Sequence, residues 1–68
     1  MKFTIGQLIY WHEEFADGIP GRDGGLGIII DTRKYNMYGP EPIYSYKVFR
    51  NKHSDFSWFE ERNITLKE

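Results

Sequence analysis

The chain has 68 residues, no cysteine, and ten acids against nine lysines and arginines, a formal charge of −1. A chain this short makes one domain, 1–68, that buries only about 60% of its unfolded surface. Disulfides, thiolate metal sites and a strong field toward nucleic acid or anionic membrane are all excluded.

The opening residues Met1–Gln7 lack the apolar run of a signal peptide, and the longest apolar run, Ile28-Ile29-Ile30, falls far short of the ~20 residues that span a bilayer. A cytoplasmic location is therefore expected. The first strand is expected at roughly 7–12, where Leu8-Ile9-Tyr10-Trp11 follows Gly6. A helix over Trp11–Ala16 is set aside, because Asp17-Gly18 ends it within about one and a half turns.

Gly18–Gly27 holds five glycines and Pro20 and is expected to be a long flexible loop. A second strand is expected over Leu26–Arg33, whose three isoleucines suit a pleated surface. Lys34–Pro42, with Asn36, Gly39, Pro40 and Pro42, reads as another loop. The third strand, Ile43–Arg50, alternates, with Tyr44, Tyr46 and Val48 on one face. Asn51–Asp55 is a polar turn leading into a fourth strand, Asp55–Glu60, so these two strands form a hairpin. Glu60–Asn63 is a connector with one 3₁₀ turn, and Ile64–Lys67 is a last short strand.

Five short strands describe an all-β protein, a small five-stranded barrel that hides its own edges. Leu8, Tyr10, Ile28, Ile30, Tyr46, Val48, Phe59, Ile64 and Leu66 suffice for its core.

Phe3–Trp11, Gly27–Asp31, Tyr46–Phe49, Ser57–Phe59 and Asn63–Leu66, in that order, resemble an SH3-like barrel. The resemblance extends to KOW-type and Tudor-type barrels, to the small stromal accessory subunit of photosystem I, and most closely to small barrel proteins of tailed phages, including cyanobacterial phages. It covers Phe3–Leu66 and implies a phage-encoded component, a virion or accessory part found in the host cytoplasm or virion. The motifs specify packing and turns, not chemistry, and such a fold hosts many functions. Asp31 after the isoleucines departs from the more basic KOW pattern.

Little in the chain suggests catalysis. The glycine-rich run has Leu26 and Ile28 where a phosphate loop needs lysine and Ser/Thr, and a strand follows it where a dinucleotide site needs a helix. His12-Glu13-Glu14 lacks a second histidine four residues on, since Ala16 stands there, so a solvated acidic strand end is the better account. His53, Ser54 and Asp55 are adjacent in a turn and cannot align as base, nucleophile and orienting acid. No enzyme activity, cofactor, metal, membrane or small-molecule substrate is expected.

The twelve aromatic residues (two Trp, five Tyr, five Phe) exceed what so small a core encloses. A contiguous exposed aromatic patch marks a partner surface. Trp11, Arg33, Tyr35, Tyr38, Lys47, Phe49, Arg50 and Trp58 are the expected contact residues, with either Phe56 or Trp58 partly outside the core. Tyr and Arg favour protein interfaces, which makes another protein or a larger assembly the first expectation for a partner. The alternative is nucleic acid, held by Lys34, Lys47, Arg50 and Lys52 with Tyr35 and Tyr46, against which the near-zero charge counts. A second alternative is an accessory subunit of a larger enzyme or photosynthetic complex.

Overall fold

A computed structural model describes residues 2–16, 19–35 and 39–67. The strands are β1 (Leu8–Ala16), β2 (Ile19–Tyr35), β3 (Ile43–Arg50), β4 (Asp55–Glu60) and β5 (Ile64–Leu66), with a 3₁₀ turn, Glu61–Asn63, before β5. They form one antiparallel sheet in the order β4-β3-β2-β1-β5. No helix among the described residues is long and apolar enough to cross a membrane.

The 17-residue β2 organises the sheet. Its first half, from Ile19 to Ile28, pairs with β1, and its second half, from Gly27 to Tyr35, pairs with β3. A register shift between Ile29 and Asp31 makes Ile30 an extra residue, a bulge that bends the strand and increases its twist. The sheet curls as a result. β1 and β4 lie three positions apart in strand order, about 14 Å in a flat sheet. Yet Trp11 of β1 stacks on Phe59 of β4 with ring centroids 5.4 Å apart and planes 29° apart. The sheet wraps around these rings without closing.

Phe3, Ile9, Trp11, Ile29, Tyr46, Val48 and Ile64 form the core, with Tyr44 and Phe59 packed against it. Tyr46 is also a polar anchor. Its buried hydroxyl accepts hydrogen bonds from the Lys2 and Phe3 amides at 3.1 and 3.2 Å and donates one to Glu61 Oε2 at 2.5 Å. Burial first, and the Glu61 carboxylate second, push the phenol above its usual pKa. One side chain on β3 thus ties the N-terminal segment to the 3₁₀ turn. That segment also docks on β2, where the Gly6 amide donates to the Ile29 carbonyl at 2.7 Å and the Ile29 amide to the Gln7 carbonyl at 3.1 Å.

Two sequence expectations are corrected. The glycine-rich stretch is not a loop from Ile19 onward, because it pairs with a β1 that runs on to Ala16. Trp11 lies directly opposite Gly25, and the absence of side chains at Gly25 and Gly27 lets the indole lie across β2. A large ring covering cross-strand glycines supplies the packing that the glycines lack. Glu13 adds to this hairpin, its Oε1 accepting hydrogen bonds from the Arg22 and Asp23 amides at 2.9 and 3.0 Å. Strand β2 likewise extends past Arg33 through Lys34 and Tyr35.

The second correction concerns which face is buried. Leu8, Tyr10, Ile28 and Ile30 were expected inside but are exposed, while Ile9, Trp11 and Ile29 are buried; Leu66, also expected inside, stands opposite Ile9 on the inward face but is 41% exposed at the end of β5. A strand apolar on both faces carries no alternation to say which face points inward, and a slip of one residue exchanges them.

Candidate interaction surface

The outward face of the sheet carries the candidate site. Residues directly opposite in paired strands share a face. Leu8 stands opposite Ile28, Ile28 opposite Phe49, and Phe49 opposite Phe56, an unbroken apolar row crossing β1, β2, β3 and β4. Leu8, Ile28 and Phe56 are 40%, 38% and 56% exposed, so the row is open to solvent. The Phe49 and Phe56 rings pack at 5.3 Å.

A second tier adjoins the row. Lys47 is opposite Trp58, and its Nζ lies 5.3 Å from the Phe56 ring centroid. Arg33 stands opposite Ser45, whose small side chain lets the guanidinium reach across β3 to lie 4.5 Å from the Trp58 ring centroid. The same guanidinium sits 5.9 Å from the Tyr35 ring and donates from Nη1 to the Tyr35 hydroxyl at 3.1 Å, which favours its charged form. Cations held over ring faces keep their charge at the surface while their stems cover apolar area. Asp31 opposite Lys47 and Glu60 opposite Ser45 place two acids beside these two cations, so this face has little net charge.

Of the residues expected to contact a partner, Arg33, Tyr35, Lys47, Phe49 and Trp58 share this face. Phe56 joins Trp58 there, since both are exposed where only one was expected to be. Trp11 does not, because it is 1% exposed in the core. Arg50 turns inward. Its Nε and Nη2 donate to the two Asp55 carboxylate oxygens at 2.7 and 2.6 Å, and its guanidinium lies 5.1 Å from the Trp11 ring. Tyr38 lies outside the described residues.

The cations expected to hold nucleic acid do not assemble. Arg50 is engaged inside, Lys34 stands opposite Tyr44 away from Lys47, and Tyr46 is buried. Lys52 Nζ pairs with Asp23 Oδ1 at 2.6 Å.

That last pair belongs to a polar latch between β2 and the β3–β4 turn. His53 Nε2 meets Asp23 Oδ2 at 2.6 Å, and the His53 ring tilts against Trp11 at 5.8 Å. Hydrogen bonds from Lys52 first and His53 second lower the Asp23 carboxyl to about 2. A carboxyl depressed in the folded state stabilises the fold above its unfolded pKa, and that contribution is lost as pH falls toward about 2. Asp23→Asn is therefore expected to flatten the acid-side stability profile between the ordinary aspartate range, about 4, and about 2. Thermal melts across that window check it, and an unchanged profile counts against the latch.

Compared with protein-family models, with curated proteins and with solved structures, the chain matches none.

Proposed function

We propose that the chain is an SH3-like barrel serving as a non-catalytic module that binds another protein or docks into a larger assembly through the outer face of its sheet. The barrel reading is supported by the strand order with β5 beside β1, by a long β2 shared between two halves, and by the 3₁₀ turn before β5. The curl that stacks Trp11 on Phe59 supports it further.

The observation that carries the binding reading is the apolar row Leu8, Ile28, Phe49 and Phe56, exposed at Leu8, Ile28 and Phe56 and flanked by Trp58 and Tyr35. Contiguous exposed apolar surface of this kind is a partner's seat. Aromatic anchors beside arginine carry most of the energy of protein interfaces. An interface of about 800 Å² per partner is ample for so small a module.

The test is capture from the native host by the immobilised chain, compared with an Ile28→Ser/Phe56→Ser double variant. Both positions are exposed, so circular dichroism and melting of the variant should stay close to wild type. The expected result is a partner retained by the wild type through high-salt washes and lost with the variant. Equal capture by both overturns the reading. So does oligonucleotide binding that falls steeply with salt, the mark of phosphate contacts.

A further inference from the structure

We propose that the seam left open between β1 and β4 binds an extended, basic segment of a partner protein as an added strand. The proposal rests on the chain being a protein-binding module, but it uses the strand edges at the groove, which meet the outer face only at Trp58 and Glu60.

Two strand edges border the seam. Strand β5 pairs with β1 only from Ile9 to Trp11, whereas β1 runs on to Ala16, so the edge from His12 onward has no strand partner on that side among the described residues, although register shifts on both sides of Glu14 make it irregular and leave β4 as the regular edge. Strand β4 pairs with β3 alone and is the last strand of the sheet. A groove of about 390 Å³ lies between them, lined by His12, Glu13 and Glu14 from one side and Ser57, Trp58 and Phe59 from the other. That size falls within the range of small binding clefts.

Unpaired edges are normally guarded by lysine, proline, a bulge or extreme shortness. The other edge follows that rule, for β5 has three residues and Lys67 follows it. Strand β4, Asp55-Phe56-Ser57-Trp58-Phe59-Glu60, is twice as long and has no lysine, proline or bulge. An extended peptide satisfies such an edge because its own amides and carbonyls repeat at the same spacing, which is how peptides add to sheets in strand recognition. Helices and small ligands lack that repeat.

Charge supplies the chemistry of the occupant. Glu13, Glu14 and Glu60 line the groove against Arg50, and with the ion-pair partners Asp55 and Arg62 counted the sum is four acids less two bases, or −2. Both arginines are already paired, Arg50 with Asp55 at 2.6 Å and Arg62 with Glu14 and Glu60 at 3.2 Å each. The incoming strand must therefore bring its own positive charge, and Trp58 and Phe59 favour apolar residues between its cations.

The probe is a labelled, capped peptide Lys-Val-Lys-Val-Lys-Val, titrated into the full chain by fluorescence anisotropy and by amide chemical shifts. Binding tighter than about 1 mM is expected, with the largest shifts on the amides of β1 beyond Trp11 and of β4. N-methylation of alternate peptide amides on the bonding edge should weaken it at least about tenfold, and replacing lysine by glutamate should abolish it. Glu60→Lys should weaken binding of the lysine peptide without unfolding the chain, since Glu60 is exposed. The proposal is overturned by no shift up to about 1 mM, by equal binding of the N-methylated peptide, or by shifts confined to the outer face. The outer-face reading fails separately, through indifference of partner capture to the Ile28→Ser/Phe56→Ser variant.

Discussion

Replacing Trp11 by alanine is expected to lower the free energy of unfolding by about 3–5 kcal/mol, the upper range for deleting a buried aromatic. A domain of this length has a total stability of about 3–10 kcal/mol, so the variant loses much or all of it. The magnitude follows from how many parts meet at one ring. Trp11 is 1% exposed, stacks on Phe59 at 5.4 Å, lies under Arg50 at 5.1 Å, and covers Gly25 with its Cζ2 3.8 Å from where a Cβ would stand. It thus links β1 to β2 through the glycines and to β4 through Phe59, and its loss lets the curled sheet open. Trp11→Phe should cost less, because it keeps a ring on Phe59 while losing part of the buried volume and the donation from Nε1 to the Leu26 carbonyl at 3.2 Å. That carbonyl still accepts from the Asn51 amide at 3.2 Å, so no buried acceptor is orphaned. Urea or thermal unfolding checks both variants. For the alanine variant a fall in melting temperature on the order of 12 °C or more is expected. A change below about 1 kcal/mol would mean that the ring does not hold the sheet together.

The half of the fold that followed from the sequence is the half whose strands are bounded by a polar turn. Ile43–Arg50 alternates, and the polar turn after it admits one hairpin with Asp55–Glu60, so the bounds of both strands match the structure. The short connector before β5 is likewise a 3₁₀ turn. The other half misled for a physical reason. Glycine and proline counts report conformational freedom, not the shape of the neighbour that exploits it. Gly25 and Gly27 are strand residues because an indole from β1 covers the space they leave empty. The pairing of β2 with β1 begins at Ile19 opposite Ala16.

The candidate surface was legible in residue type and only partly in position. Arg33, Tyr35, Lys47, Phe49 and Trp58 converge because odd-numbered positions of β3 point outward and cross-strand pairing carries that parity to the neighbouring strands. The same parity rule reaches from Trp58 to Phe56 on β4. It also turns Arg50 inward, toward Asp55 and the indole, although its charge alone suggested the surface. Trp11 had no such guide, since Leu8, Ile9, Tyr10 and Trp11 are apolar on both faces. What decides there is volume, for the indole fills the space inside the curl that Tyr10 leaves by facing out.

Gly27→Ala and Gly25→Ala are expected to move stability in opposite directions. In an ordinary strand, alanine in place of glycine gains about 0.4–1 kcal/mol by narrowing the unfolded ensemble. Gly25 is such a position. A Cβ there meets Trp11 and Lys52 at 3.8–3.9 Å, ordinary contact, so the variant should be neutral or slightly stabilised. Gly27 is different because β2 passes there from pairing with β1 to pairing with β3, opposite Ile9 on one side and Arg50 on the other. A Cβ at Gly27 would collide with Val48 Cγ1, stand 2.8 Å from the Phe49 carbonyl oxygen and 3.1 Å from Trp11 Cδ1. The first of these is a buried core side chain and the second is backbone, so neither can yield without displacing β3. Overpacking of this kind costs about 1–3 kcal/mol, more than the entropic gain. The two variants, two residues apart on one strand, should therefore melt on opposite sides of the wild type or nearly so. Equal melting of the pair would mean that β2 does not approach β3 as closely at Gly27 as the packing around Val48 requires.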